Sequence, residues 1–129
     1  MFLILALESG CTRTDIQPNM YNEKGEIRIK NFGKYDIESP DLELTMVGVL
    51  RDSRCPTDGD CISDDNAEVS FDFELEEHHT SFTLNTNNAP VGRVVDGYHV
   101  QLISLSPQPA NSKTINPYDY EVIVSLTKQ

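Results

Sequence analysis

From Gly25 onward, apolar and polar side chains alternate with a period of two. Ile27 and Ile29 are separated by charged residues. Leu42, Leu44 and Met46 alternate with polar neighbours, and Val47 and Val49 add the other face near the end of that run. Val69, Phe71, Phe73 and Leu75 alternate with Ser70, Asp72 and Glu74. Phe82 and Leu84 form a shorter run. Tyr98, Val100 and Leu102 share one parity, and Ile103 and Leu105 take the other; a bulge near Ser104, or burial on both faces, accounts for the switch. Tyr118, Tyr120, Val122, Val124 and Leu126 close the pattern. Side chains along a strand point to alternate faces, so each run predicts a strand with one wet and one dry side. No window keeps the i, i+3, i+4, i+7 stripe of an amphipathic helix.

The segments between the runs carry turn chemistry: Asn31-Phe32-Gly33, Glu38-Ser39-Pro40, the 52–66 loop, Asn85 to Gly92, Asp96-Gly97, and Ser106 to Pro117. Six or seven short strands joined in this way predict an all-β domain. The expected architecture is an antiparallel β-sandwich, immunoglobulin-like or a similar Greek key, with a small barrel as the alternative.

The chain has 129 residues, enough for one domain, and no apolar run reaches the length of a membrane-spanning helix. Acidic residues number 21 and basic residues 10, which gives a net charge of −11. That balance argues against nucleic acid as a partner, because Lys and Arg must replace the counterions on phosphates. It favours neutral or basic partners.

At the start, Met1 to Leu7 is largely apolar, Gly10 is small and Cys11 follows, with Glu8 where Leu is usual. The stretch resembles the end of a bacterial lipoprotein signal peptide, which implies lipidation at Cys11 and a membrane anchor through the lipid only. Residues 12–24 are polar and without period, and read as a flexible tether to a domain over 25–129. Three cysteines leave one over in an exported protein, and acylation of Cys11 resolves the count. Cys55 and Cys61 then form a disulfide around a short turn, worth about 2 kcal/mol by chain entropy. The competing reading, half of a zinc site, needs a closer spacing and a second ligand pair. A disulfide places the domain in the periplasm, or at the outer membrane or cell surface.

Asp52-Ser53-Arg54-Cys55-Pro56, followed by Cys61 and Ala67, resembles a group of uncharacterised bacterial lipoproteins. Their pattern is Asp-Ser-Arg-Cys-Pro, then Cys, then an aromatic-Ala-Gly turn leading into a strand. Tyr98 to Leu102, Leu105-Ser106-Pro107 and Tyr120 to Val124 fit the end of the same pattern. The resemblance implies an exported β-sandwich and carries no established activity. Ser63-Asp64-Asp65 replaces the aromatic-Ala-Gly turn, so Asp65 has to adopt the glycine's conformation. Read physically, Asp52 or Ser53 caps the turn, Arg54 pairs with Asp52 or another nearby acid, and Pro56 stiffens the loop. The knuckle is then a structural staple, or a recognition loop presented on a rigid scaffold.

Two clusters invite metals. Asp58, Asp60, Asp64 and Asp65 offer carboxylates for a weak calcium site, without EF-hand spacing. His78 and His79 follow Glu76 and Glu77, but neighbours on a strand point apart, so a transition-metal site needs one of them with His99 and a carboxylate. No nucleophile elbow, zinc-protease helix or Gly-rich phosphate loop is present, which argues against an enzyme and against any other cofactor. The expected function is a non-catalytic binding or structural module of the cell envelope, its partner an envelope protein or glycan. The alternatives are an inhibitor or carrier that uses the Cys55–Cys61 loop, and a calcium-binding domain that uses the acidic loop 58–68.

Overall fold

A computed structural model describes residues 25–37, 41–59, 61, 64–110 and 114–129. The signal-like segment, Cys11 and the tether lie outside the described residues, as do Ser39, Pro40, Asp60 and Ser63. Eight strands are described. In chain order they are β1 Glu26–Lys30, β2 Lys34–Ile37, β3 Leu42–Asp52 and β4 Ala67–Leu75. They continue as β5 His78–Asn85, β6 Gly92–Val95, β7 Tyr98–Ser106 and β8 Glu121–Lys128.

The strands form two antiparallel four-stranded sheets, in the order β1-β8-β7-β6 (sheet I) and β2-β3-β4-β5 (sheet II). The expected all-β sandwich is therefore present. Its connectivity is a meander rather than a Greek key: β1 and β2 are the two edges on one side, β5 and β6 those on the other, and every strand lies beside its neighbours in sequence. The two strands beyond the six hydrophobic runs are short edges that the pattern did not single out, β2 and β6.

Alternation fills the space between the sheets. Leu42, Leu44, Met46, Val69, Phe71 and Phe73 from sheet II meet Ile27, Ile29, Val100, Val122 and Val124 from sheet I, all fully buried. Each such side chain contributes about 1.5–3 kcal/mol of apolar burial. A bulge between Leu102 and Ser104 turns Ile103 outward and returns Leu105 to the core, which accounts for the parity switch in β7. Two more bulges in β3, at Met46/Gly48 and Val49/Arg51, leave Val47 and Leu50 exposed.

Two hairpins turn through two residues, both at positive φ, the geometry that matches strand twist. Asp96 and Gly97 (φ 49° and 84°) suit it. Glu76 and Glu77 (φ 49° and 75°) do not, because a Cβ in this region costs roughly 1–2 kcal/mol per residue. The Glu76 N–H donates to the Asp41 carbonyl at 2.8 Å, which ties this tip to the start of β3.

Candidate functional site

The end of β3, the start of β4, the end of β5, the end of β7 and the start of β8 come together at one end of the sandwich. Asp52 is the last residue of β3, paired with Ala67. Beyond it the chain leaves the sheet and Arg54 turns inward, its side chain only 5% exposed. Its guanidinium holds Asp52 with two parallel bonds of 2.8 Å. It also donates to the carbonyls of Leu105 at 2.6 Å and Pro107 at 2.8 Å. One cation thus joins the end of sheet II to the last turn of sheet I. The Asp52 carboxylate accepts the Arg54 backbone N–H as well, at 3.2 Å, closing the local turn.

Tyr120 completes the group, its hydroxyl donating to Asp52 Oδ2 at 2.8 Å. Burial pushes the Asp52 carboxyl up, but the hydrogen bonds from Arg54 and Tyr120 outweigh it and hold Asp52 below the usual carboxylate range. Burial, then the hydrogen bond to Asp52, pushes the Tyr120 phenol up to about 12. Asp52 and Arg54 are the pair that the sequence suggested. The alternation that includes Tyr120 marks it as a strand residue and gives no sign of this bond.

The disulfide knuckle is seated on this group. Cys55 and Cys61 are bonded, with Cα atoms 4.9 Å apart. Asp65 takes the positive φ expected of it, 54°, and accepts the Cys55 N–H at 2.8 Å. The Ser53 hydroxyl donates to Asp64 and to the Asn66 carbonyl. The hydrogen bond from Ser53 holds the exposed Asp64 carboxyl below its usual range. Thr57 ties the knuckle to the far loop through the Pro109 carbonyl, at 3.0 Å. Pro56 is half-buried and Asp58 exposed.

Nothing in the hydrophobic pattern marks Asn66. It is 2% exposed, donates to Asn85 Oδ1 at 3.0 Å and accepts the N–H groups of Asn87 and Asn88 at 3.0 and 2.9 Å. It therefore fixes the loop between the sheets. Of the acidic set proposed for calcium, Asp64 and Asp65 are bonded within the loop, and Asp60 lies outside the described residues. Among the described residues no three metal-binding side chains come together. The histidines are also separated: His78 pairs with Asp96 at 2.9 Å and His79 with Glu74 at 3.5 Å, while His99 lies on sheet I.

Exposed aromatic surface stands at the same end. Phe32 and Tyr118 pack edge to face, 5.2 Å apart at 62°, and are 54% and 74% exposed. Tyr118 was expected on the last strand, but it sits in a 3-10 turn over Pro117–Asp119. Asn116 caps that turn by accepting the Tyr118 N–H at 2.9 Å, and Asn31 Nδ2 donates to the Pro117 carbonyl at 2.9 Å. Phe32 has a φ of 70°, and its N–H donates to the Met46 carbonyl at 2.9 Å. Leu50, 63% exposed, lies on β3 two residues before Asp52.

Comparison with known proteins finds no matching family model, curated protein or solved structure.

Proposed function

We propose that the chain is an exported, non-catalytic module of the cell envelope, lipid-anchored at Cys11, that meets a neutral or basic envelope protein or glycan through its disulfide end. The observation that carries the reading is the exposure of Phe32, Leu50 and Tyr118 at an end whose backbone is tied down. Exposed aromatic side chains on a rigid support give contact area at low entropic cost. The support consists of the Asp52–Arg54 pair, the Cys55–Cys61 bond and Asn66. The anchor and the compartment rest on the Cys11 pattern and on the disulfide.

A photo-crosslinking residue at position 118, in intact envelopes, tests the contact. An adduct at 118, protein or glycan as mass analysis resolves it, and none from a probe at Thr83 on the outer face of sheet II, supports the reading. Adducts at 83 and none at 118 would refute it. For the anchor, Cys11→Ser is expected to release the protein from membranes; unchanged fractionation would remove that part.

A further inference from the structure

The four edge strands differ in how they end their sheets. β1, β2 and β6 are five, four and four residues long, and each carries charge: Glu26, Arg28 and Lys30, then Lys34 and Asp36, then Arg93. Short, charged edges resist the addition of another strand. β5 is an edge of eight residues with no Lys, Arg, Asp, Glu, Pro or Gly and an unbroken register. The Leu75–His78 pair closes the two-residue turn, so the even residues from His78 to Leu84 direct their N–H and C=O groups to β4. The odd residues direct theirs away, and the Asn85 N–H accordingly donates to the Pro90 carbonyl at 2.9 Å. Among the described residues, the outward N–H and C=O groups of His79, Ser81 and Thr83 have no backbone partner.

Charge decides what fits there. On the outer face β4 sets Glu74 opposite His79 and Asp72 opposite Ser81. The cations of this sheet are taken up farther in, Lys34 by Glu43 at 3.1 Å and Arg51 by Glu68 at 3.8 Å. Asp72 is left with the Ser81 hydroxyl at 2.6 Å and Glu74 with His79 at 3.5 Å. On the inner side the order is reversed, because the Arg93 guanidinium lies 5.6 Å from the Phe82 ring and repels a second cation.

We infer that the β5 edge binds, as an added antiparallel strand, an extended peptide segment with basic residues at alternate positions and uncharged ones between them. The site is separate from Phe32 and Tyr118, which lie on the β1 and β2 side. Residues of the peptide opposite His79, Ser81 and Thr83 face outward, where Lys or Arg reaches Asp72 and Glu74. Those opposite Thr80 and Phe82 face inward beside Arg93 and are uncharged. Backbone bonds supply the affinity and the alternation supplies the selectivity. The net charge of −11 draws a basic segment in and rejects an acidic one.

Amide hydrogen exchange of the full chain, read by NMR, tests this with the synthetic peptide acetyl-Thr-Lys-Val-Lys-Val-Lys-Thr-amide. The peptide should slow exchange at His79, Ser81 and Thr83 at least about tenfold at concentrations up to about 1 mM. Methyl groups on the Lys nitrogens, which face β5 in this register, should weaken binding at least about tenfold, and methyl groups on the Val nitrogens should not. The same peptide with Glu in place of Lys should not bind. Ser81→Pro removes the central outward N–H and leaves the β4–β5 bonds in place, so it should abolish binding. The methylated peptides make the same distinction on the wild-type chain if a thermal melt shows that Ser81→Pro is unfolded. Unchanged exchange at the three amides overturns the inference. So does a Lys-methylated or Glu peptide that binds like the parent. An added strand also comes within reach of a photo-probe at 83, so adducts at 83 together with 118 mark two occupied sites, whereas adducts at 83 alone count against the disulfide end only.

Discussion

The Tyr120 hydroxyl lies 2.8 Å from Asp52 Oδ2, so the residue just before the last strand is bonded to the residue that ends the third, 68 positions earlier. The bond spans the two sheets on the side where β1 and β2 are short. The same carboxylate holds Arg54, which reaches the carbonyls of Leu105 and Pro107. Three side chains therefore close an end of the sandwich that apolar packing leaves open.

This group makes the stability of the fold depend on pH at both extremes. The folded phenol of Tyr120 is raised to about 12 from 10, so its contribution is complete below pH 10 and is lost as pH rises toward 12. Asp52 is depressed from 3.8, so its contribution is present above that value and is lost as pH falls through the lower folded value. Urea unfolding measured from pH 9 to 12 should show a decline that Tyr120→Phe largely removes, along with a loss at neutral pH of about 1–2 kcal/mol for the missing bond. Equal alkaline declines in both proteins would contradict this assignment.

Glu76 and Glu77 turn a hairpin through two positive φ values without glycine or asparagine. Replacing them with Asn and Gly, the residues this turn prefers, should stabilise the fold by about 1–2 kcal/mol. The check is the urea midpoint at constant slope. A lower midpoint would mean that the glutamates make compensating contacts.

Reduction of the Cys55–Cys61 bond is expected to cost about 2 kcal/mol and to leave the fold intact. The knuckle stays tied through Cys55 to Asp65, Thr57 to Pro109 and Ser53 to Asn66. The double variant Cys55→Ser/Cys61→Ser should retain its β-sheet circular dichroism with a melting temperature lowered by roughly 10 °C. Global unfolding at room temperature would show that the disulfide carries more than these bonds do.

The long strands were legible because one face of each is wet, which writes burial into the sequence as alternation. β6 was not, because only Val95 of its four residues is buried: Val94 points to solvent, while Arg93 lies 5.6 Å from the buried Phe82 ring as a cation–π contact. β2 alternates through Tyr35 and Ile37, but four residues at an edge make a weak signal. Connectivity was not legible either, since the same alternation fits a meander or a Greek key. Within the candidate site, Asp52 and Arg54 could be paired from their spacing, and Asp65 could be assigned a positive φ from the turn it replaces. Tyr120, Leu105 and Pro107 could not be added, because only the folded sheets bring them within reach of residues more than fifty positions away.

The central claim is that Arg54, buried and bonded to both sheets, is the principal structural element of the Asp52-Ser53-Arg54-Cys55-Pro56 segment. Its most direct test is the unfolding free energy of Arg54→Ala, measured in urea beside the Cys55→Ser/Cys61→Ser variant. Removing one partner of a buried, hydrogen-bonded ion pair should cost about 3–5 kcal/mol, more than loss of the disulfide. An Arg54→Ala loss below about 1 kcal/mol, or one smaller than that of the disulfide variant, would contradict the claim.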